Sequence, residues 1–383
     1  MRLTLVIPSL RRGGAERTAS VLANAWADQR NEITLVTLEK DDFPAYNLRS
    51  AVALRQLRVW GPPTGSIFHR LLRQIKSIHA LRRAIQESRA DLVLSFMDIS
   101  NVVTLLATRG LDVPTVVTEH VHPAYHPIGR IWEIMRRLTY PRAKALVCVS
   151  IPVKESFQRR MKMNARVIPN PLDLPALRAP DGGQHKAEHI VVGMGRLVHQ
   201  KGFDLLIKAF SRVAPRHVAW RLKIMGEGPL IDSLLEQAAS LGIADKVELT
   251  GIVPDPFPTL RAADLFIFPS RFEGFGNALC EAMACGLPVI SFDCPSGPSE
   301  IVRDGVDGIL VPSEDVVALS KAMDRLMNDA QERRRFAARA PEVLQRFSVQ
   351  RILAMWNDLF AELLPEVSKE EQGASGIISS NRH

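Results

Sequence analysis

The chain has 383 residues, 46% of them apolar and 23% charged, with 49 Lys+Arg against 41 Asp+Glu. That length exceeds one ordinary core and suits two domains, while the lack of any run of about 18 apolar residues excludes a bilayer-spanning helix. Four cysteines, Cys148, Cys280, Cys285 and Cys294, show no Cys-x-x-Cys pair and no metal-ligand spacing, which points to buried free thiols in a cytoplasmic protein rather than a disulfide framework.

Met1 to Pro8 is a short apolar run followed at once by Arg11, Arg12, Gly13 and Gly14. A secretory signal has its basic region before the apolar stretch, so this run reads as a first strand, Leu3–Pro8. Alternating β-branched runs and helical stretches follow, the pattern of βαβ units and parallel sheets. Strands are expected at Ile33–Leu38, Leu92–Phe96, Thr115–Thr118 and Leu146–Val149, and helices at about Ala15–Trp26, Ile67–Glu87 and Ile131–Leu138. Pro169, Pro171, Pro175 and Pro180 then lead into Asp181-Gly182-Gly183, a density of breakers that marks a linker. The alternation restarts with strands at Ile190–Gly193, Leu222–Met225, Val247–Thr250, Leu265–Phe268 and Val289–Phe292, and with helical periodicity at Val316–Met327 and Arg351–Leu364. The expected fold class is α/β, with two Rossmann-like doubly wound domains, 1–170 and 188–345. A helix at about 346–364 packs back on the first domain, and 365–383 forms a loose tail.

Charge divides unevenly between the halves. Residues 1–180 carry 27 Lys+Arg and 14 Asp+Glu, a surplus of 13; residues 181–383 carry 22 and 27, a deficit of 5. A basic face attracts nucleic acid, anionic lipid or an anionic substrate.

Three segments carry chemistry. In the first, Gly193-Met194-Gly195-Arg196-Leu197, the strand ends in glycine; Lys201-Gly202 follows before the helix Phe203–Phe210. Arg196 and Lys201 at a strand-to-helix junction suit a diphosphate, which takes charge-assisted donors; a solvated surface pair is the alternative. The dinucleotide fingerprint is incomplete, since its third glycine would fall at Val198. The second segment runs from Arg271 through Glu273-Gly274-Phe275-Gly276-Asn277-Ala278-Leu279 to Glu281, between a strand and the helix Ala278–Ala284. Its glycines admit close backbone approach, its helix start offers N–H groups to phosphate, and Glu273 and Glu281 can accept hydrogen bonds from sugar or ribose hydroxyls. A capped helix with two surface carboxylates is the plain reading. In the third, Ser9 to Arg17, the glycine pair Gly13-Gly14 opens a helix in an anion-friendly loop.

Taken together, these residues resemble the retaining glycosyltransferases of family 4, with the GT-B fold of two Rossmann-like domains facing a central cleft. The likeness rests on Gly13-Gly14-Ala15-Glu16-Arg17, Glu119-His120 after a strand, Gly195-Arg196 with Lys201-Gly202, Gly226-Glu227-Gly228-Pro229, and the Glu273-Gly-Phe-Gly…Glu281 signature. Cys294-Pro-Ser-Gly-Pro-Ser-Glu300 is similar to a segment of the branch that builds bacterial polysaccharide, O-antigen and lipid-linked oligosaccharide. The resemblance implies that Gly14, Arg196, Lys201 and the N–H groups of Asn277, Ala278 and Leu279 meet the donor diphosphate. It further implies that Glu273 with Gly274, Phe275 and Gly276 binds the donor sugar, that Glu281 binds the ribose, and that His120 sits at the reacting centre, with Glu273 as the second catalytic residue. Where that branch has Arg, this chain reads Thr118-Glu119-His120-Val121-His122-Pro123, so Glu119 and His122 compete with His120. No Asp-x-Asp motif ends a strand, Asp304-Gly-Val-Asp307-Gly reads as a turn, and metal-independent transfer without a cofactor is expected, Arg196, Lys201 and the helix dipole meeting the leaving diphosphate.

The basic half points to the acceptor. Ile67, Phe68, Leu71, Leu72, Ile75, Ile78, Leu81 and Ile85 alternate with Arg70, Arg73, Lys76, Arg82 and Arg83, and Ile131, Trp132 and Met135 stand beside Arg130, Arg136 and Arg137. Such faces either lie on anionic lipid or pack on a core with a solvated basic back. The expected partners are a nucleotide-sugar donor, a UDP-sugar in preference to a GDP-sugar, a lipid-diphosphate-linked sugar acceptor and the anionic inner face of a membrane. Nucleic acid is not expected, because no aromatic-basic stripe offers bases a stacking surface. A nucleotide-sugar epimerase and a non-catalytic sugar-nucleotide-binding protein are the competing readings.

Overall fold

The computed structural model describes residues 1–39, 44–61, 67–174 and 188–364, the side chains of 67–71 excepted. Pro175, Pro180 and Asp181-Gly182-Gly183 of the expected linker, the expected tail 365–383, and the side chains of Ile67, Phe68, Arg70 and Leu71 therefore lie outside the described residues.

The chain divides into two compact units. Of the described residues, those within Met1–Pro171 and from Ser348 onward make the first, and those within Leu172–Phe347 the second. The first sheet holds β1 (Arg2–Ile7), β2 (Glu32–Glu39), β3 (Val52–Trp60), β4 (Leu92–Phe96), β5 (Thr115–Glu119), β6 (Ala145–Cys148) and β7 (Ala165–Val167). Its order is β3-β2-β1-β4-β5-β6-β7, parallel throughout. The second holds β8 (His189–Met194), β9 (Trp220–Met225), β10 (Val247–Gly251), β11 (Leu265–Phe268), β12 (Val289–Asp293) and β13 (Gly308–Pro312), in the order β10-β9-β8-β11-β12-β13, again parallel. Parallel strands covered on both faces read as continuous apolar runs, and β4 and β11 are buried at every position.

Three strands go beyond the sequence reading: β3, β7 and β13. Each lies at a sheet edge, where half the strand meets solvent and the apolar signal thins. β3 carries Arg55, Gln56 and Arg58 and is mostly half-buried, β7 has only three residues, and β13 opens with glycine and closes with proline.

Successive residues of a strand face opposite sides, and the first sheet packs accordingly. Leu3, Leu5 and Ile7 face helices Gly14–Asp28 and Val349–Leu363 in one core cluster with Trp26 and Trp356. Val6 and Val93 face Leu81 and Ile85 of helix Ile67–Ser88, and Val117 faces Tyr140 and Phe157. The returning helix is locked by Trp26, whose ring meets Trp356 edge-on at 6.0 Å and Phe360 at 5.4 Å. Trp356→Ala removes an aromatic that is 3% exposed. It is expected to lower the first unit's unfolding free energy by about 3–5 kcal/mol, read from urea unfolding; a change below about 1 kcal/mol would show that the C-terminal helix is not integral to that core.

Candidate active site

In a doubly wound sheet the ligand crevice lies at the carboxyl ends of the two strands between which the order reverses. In the second unit those strands are β8 and β11. The loop after β8 carries Arg196 and the single turn His199–Lys201, and the loop after β11 carries Arg271 to Gly276. The two loops meet in one contact: Lys201 Nζ lies 2.5 Å from Glu273 Oε1, between side chains only 17% and 9% exposed. A predicted diphosphate residue and a predicted sugar residue are thus brought together. Lys201 also stands 5.7 Å over the Phe268 ring. Arg196, in the same loop as Lys201, is exposed.

The loops are clamped by groups to which the sequence reading assigned no role. Arg271 pairs bidentately with Asp204 at 2.8 Å and donates to His199 O, while its backbone N–H donates to Gln200 O. Gln200 Nε2 donates to Phe272 O at 3.0 Å. Gly202, at φ +66°, comes so near the β11 loop that a Cβ would fall 1.9 Å from Pro269 O. On the far side Ser296 Oγ donates to Glu273 O, and Gly297, at φ +99°, packs where a Cβ would sit 1.7 Å from Phe275 O. The Cys294–Glu300 segment therefore holds the Glu273–Gly276 backbone. A glycine followed by proline was the visible signal for this contact, but its partner lies in another loop.

Helix Asn277–Ala284 begins at the cap Gly276 without a side-chain cap. Asn277 and Ala278 are half-buried, Leu279 is buried, and Glu281, one turn in, is 5% exposed. The first turn tightens, so that the Leu279 N–H donates to Gly276 O at 3.0 Å, a carbonyl shared with Cys280. Phe275 turns its ring inward, edge-on to Phe347 at 5.0 Å, which leaves only its backbone for a ligand.

In the first unit the order reverses between β1 and β4. Gly13 caps helix Gly14–Asp28 with Gly14 exposed as its first residue, and the loop is pinned by Tyr46, whose hydroxyl donates to Gly13 O at 3.0 Å and accepts from Gly13 N–H at 3.2 Å. After β4, Met97 holds φ +73° at the cap of helix Asp98–Ala107, a conformation that costs a non-glycine residue energy and is concentrated at functional sites. His120 follows β5. Thr118 Oγ1 donates its one proton to Ser95 O at 3.0 Å, so towards His120 Nε2, also 3.0 Å away, it accepts. The ring proton is accordingly assigned to Nε2. Nδ1 is left as a buried acceptor without a hydrogen bond, in a ring that stacks on Phe96 and borders a small cavity with Val149, Ile168 and Asn170. Burial pushes this imidazole down to about 4, so it is neutral near pH 7.

The two competitors are differently placed. Glu119 is 3% exposed and accepts from Tyr140 Oη, with Arg136 Nε 3.7 Å away. Burial outweighs Arg136 and pushes its carboxyl up to about 7. His122 accepts at Nδ1 from the Ala124 N–H and packs on Tyr125 at 5.1 Å; burial, then Arg160 and Arg159, hold it below the usual histidine range.

Asp304 and Asp307 are occupied as a turn requires: Asp304 accepts from Leu310 N–H, and buried Asp307 pairs with Arg303 at 2.6 Å. The four cysteines are free and buried. Among the described residues no helix is long and apolar enough to cross a membrane. Helix Arg130–Thr139 also departs from expectation. Trp132 and Met135 pack on the core and Arg136 is 2% exposed, so Arg136 is not part of a basic outer face. The outer face instead shows Ile131, Ile134 and Leu138, 76%, 57% and 62% exposed, beside Arg130 and Arg137. In helix Ile67–Ser88, Leu72 and Ile75 are exposed, Leu81 and Ile85 are buried, and Arg82 donates to Ala107 O and Arg109 O.

Residues 179–343 match the family described as Glycosyl transferases group 1, and residues 12–175 the one described as Glycosyltransferase Family 4. The lipopolysaccharide core biosynthesis glycosyltransferase LpsD of Rhizobium meliloti is 32% identical over 287 residues, 73% of this chain and 78% of that protein. The chain belongs to the glycosyltransferases. The GalNAc-alpha-(1->4)-GalNAc-alpha-(1->3)-diNAcBac-PP-undecaprenol alpha-1,4-N-acetyl-D-galactosaminyltransferase of Campylobacter jejuni is 29% identical over 364 residues, 95% of this chain and 99% of that protein. HepE of Anabaena, solved in complex with UDP, superposes with a TM-score of 0.80 at 21% identity, covering 94% of this chain and 100% of that one. This glycosyltransferase thus has the α/β GT-B fold of two Rossmann-like units.

Gly297→Ala places a methyl group against a backbone carbonyl at a positive φ. It should lower the second unit's unfolding free energy by more than about 1 kcal/mol, while the first unit's transition stays in place. Urea unfolding followed separately in the two units tests this, and an unchanged second transition would show that the Gly297–Phe275 approach is not required.

Proposed function

We propose that this glycosyltransferase is a retaining member of family 4 that moves a hexose or N-acetylhexosamine from a UDP-sugar to a lipid-diphosphate-linked or polysaccharide sugar acceptor. The observation that carries the reading is the Lys201–Glu273 pair at the reversal point of the second sheet, with exposed Arg196 in the Lys201 loop and the helix start at Asn277 ending the Glu273 loop. A cationic pair and a helix N-terminus suit a diphosphate, and a carboxylate already oriented by Lys201 suits sugar hydroxyls. Glu281 takes the ribose hydroxyls. The bond between sugar and diphosphate breaks through an oxocarbenium-like state, and the charge that builds on the diphosphate is met by Arg196, Lys201 and the helix dipole. The acceptor oxygen attacks from the face the diphosphate leaves, its proton passing to the departing phosphate, so configuration is retained. In this reading neither a metal nor a cofactor takes part, and His120 accepts a hydroxyl hydrogen bond at Nδ1.

The acceptor class is supported by relatives: two Campylobacter jejuni proteins are named for diphospho-undecaprenol acceptors and the Rhizobium protein for lipopolysaccharide core. UDP is favoured over GDP by the UDP complex of HepE. A donor carrying galactose, N-acetylgalactosamine or N-acetylglucosamine is favoured over glucose or mannose. The place of action is the cytoplasmic face of the cell membrane, reached peripherally through Ile131, Ile134 and Leu138 of helix Arg130–Thr139. An apolar stripe flanked by arginine inserts at the boundary of anionic headgroups and acyl chains.

A panel of nucleotide sugars, with and without a lipid-diphosphate-sugar acceptor and with EDTA present, tests the chemistry. One UDP-sugar should release UDP only with acceptor and undisturbed by EDTA, giving an α-linked product from an α-linked donor. Epimerised free sugar without acceptor would make the protein an epimerase, and tight donor binding without turnover on any acceptor would favour a binding protein.

Vesicle sedimentation tests the surface. The chain should bind phosphatidylglycerol vesicles and not phosphatidylcholine ones at low salt, and Ile134→Ser with Leu138→Ser should lose about tenfold in affinity. Equal binding to both lipids, or no effect of the serines, would remove this helix from the docking face.

A further inference from the structure

Glu119 ends β5 and His120 follows it, their side chains directed to opposite sides of the sheet. Thr118 and His120 point to the side of Phe96 and the Trp26–Trp356 core, whereas Val117 and Glu119 point to the side of Tyr140. Buried polar contacts run from one face to the other, an ion pair at one end and the backbone and side chain of Thr118 as the last link. Arg136 stands 3.7 Å from Glu119 Oε1, Glu119 accepts from Tyr140 Oη, and Tyr140 Oη accepts from Asn101 Nδ2 at 3.1 Å. Asn101 Nδ2 also donates to Thr118 O at 2.9 Å, and Thr118 Oγ1 holds His120 Nε2. Arg136, Glu119, Tyr140, Asn101 and Thr118 are each at most 3% exposed. Burying a guanidinium with a carboxylate costs desolvation, so a pair of this kind calls for an explanation beyond packing. The guanidinium also lies over the Tyr140 and Phe157 rings at 5.8 and 5.6 Å, which fixes its plane.

We propose that Glu119, held by Arg136 and Tyr140, is a positioning residue for His120, setting the strand end and the Thr118 hydroxyl that orient the imidazole. The proposal rests on His120 acting at the reacting centre, as argued above. When Glu119 is ionised it draws the Tyr140 hydroxyl firmly, which frees the Tyr140 oxygen lone pairs for Asn101, and Asn101 then steadies Thr118. When Glu119 is protonated, Arg136 is left to Glu133 at 3.2 Å and Asp98 at 3.9 Å, and the Tyr140 contact weakens. The titratable and charged groups facing Glu119 are Arg136 and Glu133 on helix Arg130–Thr139, Asp98 on helix Asp98–Ala107 with His126 beyond it, Tyr140, and Cys148 on β6. Burial, with Asp98 and Glu133, raises the carboxyl to about 7 against the pull of Arg136 and Tyr140. Ionisation therefore completes as pH rises through 7, and His120, held near 4, does not itself titrate in that window.

The test reads His120 by histidine-selective nitrogen NMR on the full chain and turnover in the same samples, in the wild type, Tyr140→Phe and Glu119→Gln. In the wild type the His120 ring should be the neutral Nε2–H form, its signals should shift with an inflection near pH 7, and kcat should rise through the same pH. Tyr140→Phe should move the His120 signals and lower kcat by about tenfold or more, with donor KM and UDP affinity unchanged and the urea midpoint close to wild type. Glu119→Gln should abolish the inflection and leave kcat low and flat between pH 6 and 8. His120 signals unmoved in both variants, or moved with kcat unaltered, would overturn the proposal. Absence of transfer by the wild type with every donor would fail the functional reading instead, while the His120 signals would still decide whether Glu119 orients the ring.

Discussion

A carboxylate and an ammonium at the crest of a parallel sheet, both largely out of water, cannot be left unpaired without the cost of an uncompensated buried charge. Much of the second unit follows from meeting that constraint between Lys201 and Glu273. The loops that carry them must come within hydrogen-bond reach, which places Gly202 against Pro269 and leaves no room for a Cβ. Arg271 and Gln200 tie the same loops by backbone contacts, and Ser296 and Gly297 fix the backbone of Glu273 and Phe275 from the other side. A pair so restrained has little further freedom to lose, and such restraint is the basis of preorganised electrostatic stabilisation.

The first unit answers a related constraint differently. There the buried charges are Glu119 and Arg136; Glu119 accepts from the Tyr140 hydroxyl, and Arg136 reaches Glu119 and Glu133 and lies over two aromatic faces. The result is a carboxyl whose ordinary range is displaced upward and an adjacent histidine displaced downward. Groups whose environments push their protonation apart are a recurrent property of functional sites. The same helix that turns Arg136 inward turns Ile131, Ile134 and Leu138 outward, so its one amphipathic pattern serves both a buried ion pair and an exposed apolar stripe.

Central strands were legible because a parallel strand covered on both faces must be apolar along its length; β4 and β11 were read at their observed limits. The edge strands β3, β7 and β13 were not, because a strand with one open edge carries arginine, glycine or proline without penalty. The helix at Asn277 was legible from its glycines, but the tightening of its first turn was not, since the bond from Leu279 N–H to Gly276 O depends on the path of Gly276. Arg136 was read as one more surface cation, because helical periodicity cannot say which of two adjacent arginines turns inward when the core on that side contains an acid from a different strand.

By itself the sequence determined two parallel α/β sheets, the loops that crown them, and the residue types able to meet a diphosphate and sugar hydroxyls, because these follow from short-range hydropathy and from glycine placed beside charge. The tertiary structure decided the pairings. Lys201 and Glu273 are 72 residues apart and Glu119 and Tyr140 21, and only the strand order brings each pair together. It also set Glu119, His120 and His122 in different surroundings: the first is buried against Tyr140, the third packs on Tyr125 in the loop beyond β5, and His120 keeps a buried nitrogen without a hydrogen bond.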